Sequence, residues 1–107
     1  MDPSSENERR SYVRITYPPQ SGAVMHVGSD RLHVADISQC GIRVFRTATG
    51  PAVSRVAATL HLLCGTSIEV KAELEWQEEK EAGYSLSAFL PAGLIERELR
   101  YVTLHFD

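Results

Sequence analysis

Ile68-Glu69-Val70-Lys71-Ala72-Glu73-Leu74-Glu75-Trp76 decides the architecture of this chain. Apolar residues at every second position alternate with charged ones, the period that a β-strand imposes when one face is buried and the other is wet. A helix would spread the same residues around its circumference. Upstream, Arg55 to Leu63 reads as a strand closed by Gly65-Thr66, and Thr47 to Ala52 as a loop carrying Gly50-Pro51. Downstream, Glu78 to Gly83 reads as a charged connection and Tyr84 to Leu90 as the last strand.

Towards the N-terminus, Ala23 to Val27 and Arg31 to Ile37 flank Gly28-Ser29-Asp30, the chemistry of a hairpin turn. Gly41 to Arg46 gives another strand, and Arg14 to Tyr17 begins ordered structure before Pro18-Pro19 forbids a helix. After Pro91 the period changes. Leu94 or Ile95, Leu99 and Val102 recur at helical spacing, with Glu96, Arg97, Glu98 and Arg100 as the wet face of a helix that looks short. Six or seven short antiparallel strands and one C-terminal helix predict a mainly β fold, a small closed barrel, because closure removes exposed sheet edges.

A chain of 107 residues supports one core. Residues 1–8 are polar, lack apolar periodicity and read as a flexible tail, which leaves 9–107 as the folded domain. No apolar run approaches the roughly 20 residues of a membrane span, and the acidic N-terminus is no signal peptide, so a cytoplasmic location is expected. Cys40 and Cys64 form no C-x-x-C pair, and His26, His33, His61 and His105 are scattered without ligand spacing. Neither a metal site nor a catalytic constellation is read here, so no enzyme is expected. A net charge of −3 argues against a nucleic-acid polymer as partner. The distribution says more. Nine of the eleven basic residues are arginines, and Arg9, Arg10 and Arg14 fall within six positions. A guanidinium cluster suits a small phosphate-bearing ligand, since its planar fork pairs with phosphate oxygens and stacks on flat bases.

Two strings carry that chemistry. Arg9-Arg10-Ser11-Tyr12-Val13-Arg14 reads R-R-x-x-x-R, and Asp36-Ile37-Ser38-Gln39-Cys40-Gly41 reads D-x-S-x-x-G at the break between two strands. Each alone is commonly a solvated surface or a turn. In this order, on a strand meander, they resemble the PilZ domain, a bacterial module that binds cyclic di-GMP. The resemblance runs from about Glu8 to Leu90 and implies a PilZ-type barrel. It matches Arg10 and Arg14 to the paired arginines, Arg9 to a frequent extra one, and Asp36, Ser38 and Gly41 to the second motif. The last strand follows the family pattern only loosely.

The ligand's chemistry fits these side chains. Arginines can pair with its phosphates or stack on its guanines, and Asp36 can accept from the two-donor guanine edge. Ser38 can bond a guanine or phosphate, and Gly41 lets the backbone approach without a Cβ. Parity places Trp76 with Leu74 on the core side, although as the strand's last residue it could reach the rim and lie against a base. Arg43 is expected to point outward and add positive potential, with Arg46 sharing the parity of Ile42 and Val44.

The resemblance further implies a receptor without cofactor that signals to a downstream protein, with motility, exopolysaccharide and virulence as family outputs. Arg9 suggests two stacked nucleotides per chain. An arm lacking apolar anchors is expected to order when the ligand binds. The alternative is an interaction barrel that does not use the nucleotide. A single-strand nucleic-acid barrel would want more aromatic platforms than a 7% aromatic content supplies.

Overall fold

The computed structural model describes residues 12–46 and 53–106. The expected tail at 1–8, Arg9, Arg10 and the expected loop at Thr47 to Ala52 lie outside them.

The alternation at 68–76 forms the longest strand. In chain order the elements are β1 (Ile15–Thr16), β2 (Val24–Val27), β3 (Asp30–Ile37), β4 (Gly41–Phe45), β5 (Arg55–His61), β6 (Ser67–Gln77), β7 (Glu81–Leu86) and the helix α1 (Ala92–Phe106). Six strands close an antiparallel barrel in the order β3-β2-β5-β6-β7-β4, with β4 pairing back onto β3. β3 is long enough to serve two partners on one side. Its first half pairs with β2 through Asp30 to His33, and its last residues pair with β1 through Asp36 and Ile37.

The inward residues of every strand meet in one core. Met25, Val34, Ile37, Ile42, Val44, Leu60, Val70, Ala72, Ala82 and Tyr84 fill the barrel, while Leu90, Leu94 and Ile95 bring the helix onto it. Burying the valine, leucine, isoleucine and methionine side chains contributes about 1.5–3 kcal/mol each, which is what selects this register. Among the described residues no helix is long and apolar enough to cross a membrane.

The last strand lies three residues earlier than its sequence suggests. Glu81 to Gly83 is strand, because the Glu81 carboxylate accepts from Arg43 at 2.8 Å across the sheet and its charge is matched there. Ser87 still donates its N–H to the Lys71 carbonyl of β6 at 2.8 Å, but Ala88 to Leu90 have left the sheet. Leu90 donates its N–H to the Gln39 carbonyl at 2.8 Å instead of continuing the ladder.

The helix is also longer and turned differently than expected. It runs 15 residues, with Leu94, Ile95 and Glu98 as its buried residues and Leu99 exposed. Glu98, assigned to the wet face by its charge, is fully buried. Its carboxylate accepts from Tyr17 Oη at 2.6 Å and from the N–H groups of Leu63 and Cys64 at 2.9 and 2.8 Å. Three donors compensate its desolvation, and those two amides would otherwise lack partners in the β5–β6 turn.

Candidate functional site

Two β-bulges build the site. On β3 the register against β4 shifts between Val34 and Asp36, so that Asp36 sits opposite Arg43. Without the shift, Asp36 would share the inward parity of Val34. With it, Ile37 takes the core position and the Asp36 carboxylate meets the side chain of Arg43. On β6 the register against β7 shifts between Leu74 and Trp76, so that Trp76 sits opposite Gly83. Trp76 is therefore not a core residue as its parity indicates. It is 40% exposed, on the rim. Bulges re-aim side chains in this way.

Gly83 completes that wall. A Cβ there would overlap the Trp76 indole, so the absence of a side chain is what lets the ring lie against the strand. Between the two bulges opens a cavity of about 410 Å³. Arg14, Ser38, Gly41, Arg43 and Trp76 line it, with Tyr12 at one edge. The residues of the two sequence motifs that are described here thus converge, and Asp36 stands behind them, bonded to both arginines.

Electrostatics organise the cavity. Asp36, with a side chain only 7% exposed, accepts from Arg14 Nη1 on one oxygen and from Arg43 Nε on the other at 2.6 Å. Arg43 Nη1 continues the chain to Glu81. Arg43 is outward, as expected. Arg46 instead turns to the β6–β7 connection, donating to the Glu78 carbonyl at 2.7 Å.

The turn between β3 and β4 is held from both sides. Ser38 donates its N–H to the Gly41 carbonyl at 2.9 Å, and its Oγ accepts from Cys40 N–H at 3.3 Å. Gln39 reaches the Leu90 carbonyl through Nε2 at 2.8 Å. Gly41 does not supply a left-handed turn position: it opens β4 as ordinary strand. A Cβ there would meet only the Tyr84 carbonyl oxygen at 3.4 Å and Ser38 Oγ at 3.9 Å. The backbone thus leaves room for a methyl group at this position on the cavity wall.

Sequence reasoning missed three participants. Tyr12 lies inside the arginine motif and packs edge-on against Phe89, ring centres 5.3 Å apart. Glu81 was placed in a connection, and Gly83 was not singled out; only a bulge-aware register would have flagged Gly83. Tyr84, on the cavity wall, has its phenol pushed above the ordinary tyrosine range by burial, with Arg46 opposing. A wider groove of about 710 Å³ runs along β5 and β6 beside Phe89. It carries Glu69 and Lys71 but no convergent set of polar groups comparable to the Asp36 cluster.

The sequence matches no protein-family model and no curated protein. Solved structures do match. The fold is similar to the PilZ domain with c-di-GMP of YcgR from Escherichia coli, at 15% identity and a TM-score of 0.64, over 90% of each chain. It is similar to the inhibitor of motility MotI/DgrA of Bacillus subtilis, at 20% identity and a TM-score of 0.62, over 90% of this chain and 50% of that one. It is also similar to the Legionella protein Lpg0364, at 12% identity and a TM-score of 0.60, over 87% and 92%. At these identities the likeness is one of fold, and the fold is PilZ-like.

Proposed function

We propose that this chain is a cytoplasmic, non-catalytic receptor for cyclic di-GMP that passes the ligand's presence to a partner protein. One observation carries the reading: Arg14, Ser38, Gly41, Arg43 and Trp76 share one rim cavity on a PilZ-like barrel, with Asp36 behind it bonded to both arginines. The neighbouring YcgR domain is a PilZ domain with c-di-GMP, which fits the same ligand class. The chemistry is complementary part by part. Asp36 offers a carboxylate to a guanine N1–H and amino group. Trp76 offers a ring face to a base, and Arg14, with Arg9 and Arg10 ahead of it, offers guanidiniums to two phosphates.

Ser38 Oγ holds the turn by accepting from Cys40 N–H and lies 3.7 Å from Cys40 Sγ; its hydroxyl can turn to a phosphate or guanine oxygen. Gly41 leaves the backbone open to close approach. On this reading the domain spans residues 9–107, and two stacked nucleotides per chain would use the surplus guanidinium of Arg9.

A second reading, a barrel that docks proteins without nucleotide, draws on the ion pairs that already satisfy Asp36. Isothermal titration separates the two. Cyclic di-GMP should give saturable heat at micromolar concentration or below, and GMP should not. Absence of binding at tens of micromolar would leave the docking barrel as the better account.

A further inference from the structure

Asp36 has two cations where one would suffice. A carboxylate this buried cannot stand unpaired, but with two partners it can release one and stay compensated. The two arginines are not equivalent. Arg43 faces Asp36 across the β3–β4 ladder, is 34% exposed at the side chain, and is held at its far end by Glu81 at 2.8 Å. Arg14 is 55% exposed and its one ion pair among the described residues is to Asp36. Arg14 is the cation free to leave.

Resting on the reading of the cavity as a site for a dianionic guanine nucleotide, we infer that Glu81 is a built-in brake on ligand affinity, acting on the cavity through Arg43. Arg43 is Asp36's fixed counter-ion and stays in place when the ligand draws Arg14 to a phosphate. Glu81 cancels the charge that Arg43 would otherwise present to the same phosphates. Counted together, Arg14 and Arg43 are balanced by Asp36 and Glu81, and Glu75 on the cavity wall adds one more negative charge. An arriving anion therefore meets no net attraction from these five side chains. Neutralising Glu81 removes one repulsive charge while Asp36 keeps Arg43 oriented.

The test is titration of cyclic di-GMP into wild type, Glu81→Gln and Glu81→Asp, with thermal melts as a control for folding. Glu81→Gln should bind about three- to tenfold more tightly, as expected for one charge at several ångströms in a half-exposed site. Glu81→Asp keeps the charge with a shorter reach and should stay within about twofold of wild type. Unchanged or weaker binding by Glu81→Gln, with wild type binding normally, overturns the brake and leaves the site reading standing. No binding by wild type overturns both. A measurement on the wild-type protein guards against a variant that fails to fold. With ¹⁵N-arginine labelling, the Nε–H signal of Arg43 should persist with little shift on ligand addition while that of Arg14 moves. A large displacement of the Arg43 signal would mean that it, too, exchanges partners, and the inference would fail.

Discussion

At the scale of single residues, Arg14 and Gly41 separate binding from folding. Arg14 is more than half exposed, so its removal costs the fold little, and Asp36 retains Arg43. Arg14→Ala should lower cyclic di-GMP affinity about ten- to a hundredfold, since a charge-assisted bond contributes roughly 1.5–3 kcal/mol. Its melting temperature should stay close to wild type; titration and calorimetry check both. Gly41→Ala asks a cleaner question. The backbone has room for that methyl, so stability should hold within about 0.5 kcal/mol. Affinity should nevertheless fall, because the methyl projects where the ligand is proposed to approach. Equal affinity in a titration would show that nothing comes near Gly41. The motif residues were legible in the sequence because polar side chains in short fixed spacing survive any register error. Trp76 was not, because a bulge changes side-chain parity without changing composition.

At the scale of elements, α1 is the clearest case of burial overriding sequence pattern. Charge put Glu98 on the solvent face, and only the tertiary contacts with Tyr17 and the Leu63–Cys64 amides reveal why it is inside. Glu98→Ala should destabilise the fold by about 3 kcal/mol or more, leaving two buried N–H groups and a phenol without acceptors. A calorimetric melt should show a drop of roughly 12–20 °C. Burial and the Glu98 carboxylate also push the Tyr17 phenol well above its ordinary range. The unfolded phenol ionises near pH 10 while the folded one stays protonated. The stabilisation is thus full below about pH 10 and declines as pH rises further, by about 1.4 kcal/mol per pH unit. Tyr17→Phe should flatten that alkaline slope in urea melts at pH 9 to 11. By contrast, β6 was legible almost to its last residue, because seven cross-strand pairs with β5 follow an unbroken alternation.

At the scale of the whole molecule, the closed barrel was legible because every strand announced itself by period or by turn residues. The position of β7 was not, because the charge of Glu81 hides a partner 38 positions away. The assembly question is how many ligands the barrel takes. On the proposed reading, Arg10 and Arg14 would serve one cyclic di-GMP, and Arg9 would become useful when a second, stacked nucleotide brings two more phosphates. Titration of wild type should give a ratio near two, and Arg9→Leu a ratio near one with the site still occupied. Amide exchange at residues 8–14 should slow in the same titration, as the arginines are drawn over the cavity. A wild-type ratio of one would reduce Arg9 to an accessory contact.

Trp76 is the chain's single tryptophan, and it lies on the barrel's rim against Gly83 instead of in the core. Its emission is therefore a local gauge, while far-ultraviolet dichroism reports the strands as a whole. Denaturation followed by both signals compares the rim with the barrel inside one molecule. Coincident curves mean that the cavity wall melts only with the fold. An earlier fluorescence transition means that the β6–β7 bulge opens first, and that the proposed binding surface is the least stable part of an otherwise cooperative structure.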